Sequence, residues 1–247
     1  MGLLDVEDVE VRFGGVHALQ GVNLDVEPGI VTGLIGPNGA GKTTLFNVVC
    51  GLQPPTNGRV VFDGREITGL RAFRRARLGI GRTFQRLEVF GSLTVRDNLR
   101  VAAETRETWG GKEGHLHADE VAEKVLDLVK LRHVANARTD ALPTGLLRIV
   151  ELGRALAAEP RLLLLDEPSS GLDDAESDLF AELLLQLSRD GIAVLLVEHD
   201  VDLVMQVCTR IHVLDFGRII ASGGAKEIQN DERVRAAYLG TGAEDAA

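Results

Sequence analysis

Apolar and polar residues alternate near the N-terminus, which is the pattern of half-buried strands. Two stretches with a period of two lie on either side of a Gly-Gly pair at positions 14 and 15: Val9, Val11 and Phe13, then Val22, Leu24 and Val26. Because paired glycines favour a tight turn, the pattern predicts an antiparallel hairpin.

Later segments are continuously apolar rather than alternating. Residues 30–35, 162–165 and 192–197 are short runs of this kind, typical of parallel strands that are buried on both faces. A second hairpin is predicted around residues 215–217, where a turn sequence separates two apolar stretches.

Between about residues 86 and 158 the apolar positions recur at helical spacing, as at Val121 and Val125, and residues 146–158 form one such helix. Strands that alternate with helices indicate an α/β domain. Its predicted parts are an N-terminal antiparallel β subdomain and core (about 1–85), an inserted α-helical subdomain (about 86–158), the rest of the core (159–240) and a flexible tail (241–247).

Composition and charge narrow the class of protein. The chain has 247 residues, 45% hydrophobic and 26% charged, as in an ordinary globular protein. Its formal net charge of −10 argues against nucleic acid as a partner. Cys50 and Cys208 have apolar neighbours and are expected to be core thiols in a reducing compartment. No signal-peptide pattern and no apolar run of 18 residues occurs, so we expect a cytoplasmic location.

One local basic patch contrasts with the net negative charge of the chain. It consists of Arg71, Arg74, Arg75 and Arg77. We expect these arginines to form either a solvated helix face or a contact to an acidic or phosphate-bearing partner.

Residues 36–44 contain the pattern G-x-x-x-x-G-K-[ST], which binds phosphate chains. In order they are Gly36, Pro37, Asn38, Gly39, Ala40, Gly41, Lys42, Thr43 and Thr44. The glycines let backbone N–H groups face a phosphate, Lys42 can reach the terminal phosphates, and Thr43 can offer its hydroxyl to Mg²⁺. The motif lies between a predicted strand and a predicted helix, which is the context it requires. The sequence therefore predicts a nucleoside triphosphate as ligand.

Two adjacent carboxylates follow the apolar run at 162–165. Ligands of α/β folds bind at the carboxyl ends of strands, so Asp166 can hold Mg²⁺ and Glu167 can deprotonate an attacking water. Taken alone, the pair is equally typical of a capped loop. Its place in one chain with a phosphate loop favours the catalytic interpretation.

Two further polar residues follow predicted strands. Gln85 comes after residues 80–84 and could ligate Mg²⁺ or orient the water. His199 comes after residues 192–197 and could hydrogen-bond a γ-phosphate. Each residue, taken alone, is more typical of a surface or structural position.

In this order, the four motifs resemble the ATP-binding subunits of ABC transporters over essentially the whole chain. The resemblance makes residues 36–44 the Walker A loop, Gln85 the Q-loop glutamine and Asp166 the Walker B aspartate. It makes Glu167 the catalytic base and His199 the switch histidine. It implies ATP as the nucleotide, Mg²⁺ as the metal and a P-loop NTPase (RecA-like) core.

The resemblance also assigns three sites whose own sequence signal is weaker. Asp173 matches the D-loop aspartate, and Phe13 lies where the family places an aromatic residue that stacks on adenine. For Phe13, a strand residue packed in the core is the alternative. The family signature Leu-Ser-Gly-Gly-Gln is matched by Leu142, Pro143, Thr144, Gly145 and Leu146.

Shorter stretches narrow the resemblance. Residues 82–85, 90–99 and 237–240 are similar to the branched-chain amino-acid (Liv-type) importer ATPases, and urea and lipopolysaccharide export systems share much of this pattern. The expected partners are a second ATP-binding subunit, transmembrane permease subunits and, indirectly, a solute-binding protein, at the inner face of the cell membrane. Phe90 and Leu93 are expected either to contact the membrane subunits or to lie in the core.

The signature segment departs from the family pattern. Pro143 replaces the serine and Leu146 replaces the glutamine, whereas Gly145 and the start of a helix remain. Losing a hydrogen bond to a charged group costs about 1.5–3 kcal/mol, equivalent to a rate reduction of about 10- to 100-fold. In this family the signature acts on ATP held by the opposite subunit. We therefore expect a second, non-identical ATP-binding subunit with an intact signature.

Two other functions remain open at this point. A soluble ABC ATPase acting on DNA or ribosomes would typically add coiled coils or a second cassette, and this acidic chain has neither pattern. A scaffold subunit that binds ATP but hydrolyses it slowly fits the altered signature, although Glu167 and His199 are intact.

Overall fold

The computed structural model describes residues 2–109 and 117–239, so the predicted tail at 241–247 lies outside the described residues. The strands in chain order are β1 (Leu4–Phe13), β2 (Val16–Val26), β3 (Val31–Ile35), β4 (Asn57–Phe62), β5 (Arg65–Glu66), β6 (Ile80–Arg82), β7 (Leu162–Asp166), β8 (Ala193–Val197), β9 (Arg210–Asp215) and β10 (Arg218–Gly223). The helices are α1 (Lys42–Cys50), α2 (Ala72–Arg77), α3 (Val95–Glu107), α4 (Ala118–Leu128), α5 (Thr144–Ala157), α6 (Asp174–Arg189), α7 (Val201–Val207), α8 (Ala225–Asn230) and α9 (Glu232–Leu239).

The smaller sheet is antiparallel and contains the predicted N-terminal hairpin. Its strand order is β2-β1-β4-β5, and Phe13 pairs with Val16 across the glycine turn. Val9 and Val22 are fully buried in one cluster with Phe46 of α1. The hairpin predicted from alternation is therefore confirmed, and its apolar face covers the helix that follows the phosphate loop.

The larger sheet has the order β10-β9-β3-β8-β7-β6, and all of its pairings are parallel except that of β9 with β10. Its central strands β3, β7 and β8 are buried at every position. Successive side chains of a strand point to opposite faces. In β7, Leu163 and Leu165 accordingly enter one core cluster, while Leu162 and Leu164 enter the other. Two buried faces explain why these runs are continuously apolar.

The helices α3, α4 and α5 lie in the range predicted to be a helical insertion. They pack on one another through a shared apolar cluster that includes Leu99 and Val125. Gly153 of α5 permits the closest approach, because a Cβ there would lie 2.8 Å from the side chain of Leu99.

The interpretation of the arginine patch as a solvated helix face is wrong for Arg75. Only 1% of Arg75 is exposed, and its guanidinium donates to the carbonyl oxygens of Val48 at 2.7 Å, Val49 at 2.8 Å and Thr68 at 2.8 Å. Because the last carbonyls of a helix have no partners within it, Arg75 satisfies the carboxyl end of α1. Its burial lowers the pKa of the guanidinium.

Cys50 and Cys208 are buried and unbridged, as expected of core thiols. Burial raises the pKa of the Cys208 thiol to about 12, so this sulfur is held as the inert thiol form. Within residues 2–109 and 117–239, none of the helices is long and apolar enough to span a bilayer.

Candidate nucleotide site

The phosphate loop connects the central strand β3 to the start of α1. Gly41 is the N-cap of α1 with φ of 112°, and Gly39 has φ of 79°. These values favour glycine, and a Cβ on Gly41 would also lie 2.7 Å from the carbonyl oxygen of Ala18. The glycines of the motif are therefore required by the path of the chain, and they leave the first N–H groups of α1 free to face an anion.

Lys42 lies inside this loop rather than in solvent. It is 7% exposed, and Nζ donates to the carbonyl oxygens of Gly36 at 2.6 Å and Pro37 at 3.0 Å. Burial lowers the pKa of Lys42, while the nearby charges of Glu167 and Asp166 act in the opposite direction. The loop therefore holds a partly desolvated cation, and the predicted contact of Lys42 with terminal phosphates stays a prediction.

A cavity of about 470 Å³ lies over the loop, a size suited to a small ligand. It brings together loop residues, two predicted catalytic residues and parts of β2 and the β9–β10 turn. Its lining residues are Val16, His17, Ala18, Gln20, Asn38, Gly39, Ala40, Gly41, Lys42, Thr43, Thr44, Gln85, Glu167, Phe216 and Gly217.

The three predicted catalytic side chains meet at one carboxylate. Gln85 Nε2 donates to Glu167 Oε2 at 3.0 Å, and His199 Nε2 lies 2.5 Å from Glu167 Oε1. Glu167 has φ of 51°, and its N–H donates to Val197 O at 2.9 Å. The strand ends of β7 and β8 thus converge as expected of a parallel sheet.

Asp166 lies beneath this cluster and does not line the cavity. It is 3% exposed, and Arg82 Nη2 donates to Asp166 Oδ2 at 3.2 Å. Burial raises the pKa of Asp166, and the charge of Arg82 opposes that rise. Arg82 Nη1 also donates to Asn47 Oδ1 at 2.7 Å, so one arginine links α1, β6 and β7.

Sequence reasoning did not identify Arg82 as the partner of Asp166. The available signal was a cation at the end of a short strand, three residues before Gln85. That signal gave no partner, because the pairing depends on the adjacency of β6 and β7 in the sheet.

The proposed magnesium ligands fit a hard cation. Thr43 and Gln85 line the cavity, and Asp166 provides a carboxylate next to it, so the set is entirely oxygen. Mg²⁺ prefers few protein oxygens and keeps waters for its remaining positions. Among the described residues, no group of three or more His, Cys, Asp or Glu residues forms a competing metal cluster.

The signature segment lies away from this cavity. None of Leu142, Pro143, Thr144 or Gly145 lines it. Helix α5 begins at Thr144 with Pro143 as its N-cap and no side-chain cap. A Cβ on Gly145 would lie 2.6 Å from Glu176 Oε2, so glycine is needed where α6 passes α5.

Asp173 is the N-cap of α6. Its carboxylate accepts a hydrogen bond from the N–H of Glu176 at 2.8 Å, and Glu176 Oε2 accepts from Asp173 N at 3.0 Å. This reciprocal capping box fixes the start of the helix. The contact of Asp173 with nucleotide therefore stays a prediction.

Phe13 is 51% exposed, so the alternative that it packs in the core is wrong. It does not line the cavity either, and the aromatic ring that does so belongs to Phe216. The stacking of Phe13 on adenine stays a prediction. Phe90 is likewise exposed, and the guanidinium carbon of Arg154 lies 4.4 Å from the centre of its ring.

Helix α5 holds the backbone around Gln85, a contact that sequence reasoning did not reveal. Arg148 donates to the carbonyl oxygens of Phe84 at 3.1 Å and Gln85 at 2.8 Å. Glu151 Oε1 accepts from Phe84 N at 3.3 Å, and Arg154 donates to the carbonyl oxygen of Glu88. The only sequence signal was the spacing of three charged residues at i, i+3 and i+6 on one helix face.

Comparison with known proteins identifies the family. The ABC transporter family model matches residues 19–170, and a branched-chain amino acid ATP-binding cassette transporter model matches residues 218–244.

Two relatives and one solved structure cover almost the whole chain. The high-affinity branched-chain amino acid transport ATP-binding protein BraF of Pseudomonas aeruginosa is 39% identical, over 96% of this chain and 98% of its own. The lipopolysaccharide export system ATP-binding protein LptB of Haemophilus influenzae is 36% identical, over 97% of this chain and 98% of its own. The crystal structure of the ADP conformation of MJ1267, an ATP-binding cassette of an ABC transporter, matches with a TM-score of 0.86 and 32% identity. The match covers 97% of this chain and 99% of that chain.

The solved cassette confirms the predicted α/β P-loop NTPase fold. The match of the family model over residues 19–170 includes the phosphate loop, Gln85 and the strand that ends in Asp166 and Glu167. The chain therefore belongs to the ABC transporter family, as a subunit of the ATP-binding type.

Proposed function

We propose that this chain binds Mg-ATP and hydrolyses it to drive solute transport through membrane permease subunits. The observation that carries the proposal is the Glu167 carboxylate, which is held by both Gln85 and His199 at the edge of the cavity that contains Lys42. A general base must be oriented before it can accept a proton, and these two contacts orient it.

In the proposed reaction the phosphates lie on the N–H groups of the loop, and Lys42 neutralises the terminal phosphate. Water attacks the γ-phosphorus, the new O–P bond forms as the bond to the ADP oxygen breaks, and Glu167 takes the proton of the water. His199 donates a hydrogen bond to the γ-phosphate. Mg²⁺, held by Thr43, Gln85 and Asp166, would neutralise charge on the β- and γ-phosphates.

The test is the substitution Glu167→Gln with Glu66→Gln as its matched control. The amide keeps the shape of Glu167 but accepts no proton, so we expect ATP turnover to fall by at least about 100-fold with ATP affinity retained. Glu66 is exposed on β5, and its substitution should change neither quantity. Unchanged turnover in the Glu167→Gln protein would contradict the proposed base and favour a subunit that hydrolyses ATP slowly.

For the solute we propose branched-chain or other amino acids, taken up by import. The match of residues 218–244 to the branched-chain amino acid transporter model supports this choice over lipopolysaccharide export or urea transport. The test is uptake of labelled leucine by a complex reconstituted from this chain and candidate permease subunits from the same organism. Stimulation of its ATPase by lipopolysaccharide or urea, and not by leucine with its binding protein, would favour the alternatives.

For the partners we propose two permease subunits, a solute-binding protein that acts through them, and a second, non-identical ATP-binding subunit, all at the inner face of the cell membrane. The departures at Pro143 and Leu146 support the second subunit, because neither side chain can donate a hydrogen bond and Pro143 provides no side-chain cap for α5. Purification of the assembled transporter tests it: two different ATP-binding subunits in equal amounts are expected, and two copies of this chain would contradict it.

A further inference from the structure

The turn between β9 and β10 carries an aromatic ring at the mouth of the nucleotide cavity. Phe216 lies in this turn, is 80% exposed, and lines the cavity together with Gly217. Its backbone has φ of 40°, in the left-handed region that favours glycine. Bulky residues rarely adopt such a conformation, and it costs about 1–2 kcal/mol.

The hairpin accounts for the backbone conformation, because a two-residue turn of type I′ needs φ > 0 at both central residues and Gly217 has φ of 75°. It does not account for the choice of a phenylalanine. A phenylalanine that stabilised the fold would be buried, whereas most of this ring contacts solvent. Asparagine, aspartate or glycine is usual at such a turn position. The exposed phenylalanine at this position, beside the cavity, therefore points to a contact with a ligand.

The turn is fixed to the phosphate loop and to β2. Gly217 N donates to Ala40 O at 2.9 Å, and Gln20 N donates to Gly217 O at 2.8 Å. Gln20 Nε2 donates to Phe216 O at 2.8 Å, and Gln20 Oε1 accepts from Arg218 Nη2 at 3.1 Å. The backbone that presents the ring is thus held before any ligand arrives, which lowers the entropy lost on binding.

The residues that line the cavity fall into two chemically different groups. The phosphate loop with Gln85 and Glu167 supplies charges and N–H groups suited to a phosphate chain. The remaining wall contains Val16, His17 and Phe216, which offer apolar or flat surfaces and no fixed charge of the kind that binds phosphate. A nucleobase is flat and apolar on its faces, so it matches this wall.

We propose that Phe216 stacks on the nucleobase of the bound nucleotide and forms an aromatic wall of the base site. The proposal rests on the proposed binding of ATP. It makes Phe216 a residue that distinguishes a nucleoside triphosphate from a bare phosphate chain.

The test compares the dissociation constants of ATP and inorganic tripolyphosphate, both with Mg²⁺, by calorimetry. In Phe216→Ala, ATP should bind about tenfold more weakly, within the range for loss of one base–aromatic stack, while tripolyphosphate binding is unchanged. Phe216→Tyr should restore ATP affinity, because it keeps the ring. Phe73→Ala removes a half-exposed ring that does not line the cavity, and it should change neither dissociation constant.

Two outcomes would overturn the proposal. Equal ATP affinity in wild type and Phe216→Ala would show that the ring makes no contact with the base. Equal weakening of ATP and tripolyphosphate would show that the turn acts only through the phosphate loop. Failure of the wild-type protein to bind ATP would instead contradict the proposed function, and a thermal unfolding midpoint for each variant separates loss of binding from loss of fold.

Discussion

At the scale of single residues, the nucleotide site depends on buried charges that satisfy one another. Asp166 and Arg82 form an ion pair with side chains that are 4% and 9% exposed. Removing one partner of a buried pair leaves the other charge without compensation, which is far more costly than the net stabilisation the pair provides.

The substitution Arg82→Met should therefore destabilise the nucleotide-free protein by about 3–5 kcal/mol, as measured by urea unfolding. The double variant Arg82→Met, Asp166→Asn removes both charges and should recover much of that loss. If the single and double variants are equally destabilised, the effect comes from packing of the Arg82 stem and not from the ion pair.

Glu151 gives a prediction about pH. Burial raises the pKa of this carboxyl above 4.5, and the N–H of Phe84 and the charge of Arg148 oppose the rise. The protonated Glu151 carboxyl therefore contributes to the stability of the fold. This contribution is complete below the pKa that Glu151 has in the unfolded chain, and it is lost as the pH rises through the higher pKa of the folded protein.

The variant Glu151→Gln keeps an acceptor for Phe84 N but does not titrate. Its stability relative to wild type should rise as the pH increases from about 4 to about 7, because only the wild type loses stability as Glu151 ionises. Thermal unfolding across this pH range measures it. A constant difference between the two proteins would show that the folded environment does not alter the titration of Glu151.

At the scale of elements, the carboxyl end of α1 is held by a side chain from α2. Substituting Arg75→Met removes the donor from several buried carbonyl oxygens, including those of Val49 and Thr68, while Val48 O keeps the N–H of Gly51. Each such group costs about 1–3 kcal/mol, so we expect a loss of several kcal/mol in urea unfolding. The control Arg74→Met changes an exposed arginine of the same helix and should cost less than about 0.5 kcal/mol. Equal effects of the two substitutions would contradict the capping role of Arg75.

The strands of the larger sheet and the contacts of Arg75 show which features could be predicted from the sequence and which could not. Strands β3, β7 and β8 were predictable because a strand buried on both faces must be apolar throughout. The carboxylates at the end of β7, Asp166 and Glu167, were predictable from the rule that ligands of α/β folds bind at the carboxyl ends of strands. The role of Arg75 was not, because its acceptors at Val48 and Val49 are 27 and 26 residues away and no local pattern encodes them.

The loop at Gln85 shows the same limit of sequence-based prediction within the nucleotide site. Gln85 follows a strand and was recognisable by its place in the motif order. Its backbone, however, is held by Arg148, which lies 63 residues later in α5. Contacts at such separation depend on how two units of the chain pack, and a hydrophobic pattern carries no information about them.

At the scale of the whole molecule, the residues predicted to act on a nucleotide lie in two separate places. One group lines the cavity, and the signature segment lies away from it. Lys42, Gln85 and Glu167 line one cavity, whereas the signature segment beginning at Leu142 does not reach it. If the signature acts on the nucleotide of a second subunit, Pro143 and Leu146 weaken what this chain contributes there. We propose that this chain is an ATPase subunit whose rate of hydrolysis is limited by its signature segment.

The most direct test is the steady-state rate of ATP hydrolysis by the purified chain alone, compared with a Pro143→Ser, Leu146→Gln variant. We predict that restoring the two hydrogen-bonding side chains increases turnover by about 10- to 100-fold, and that adding Glu167→Gln abolishes the increase. Equal turnover in the wild type and the restored variant would show that the signature segment does not limit hydrolysis.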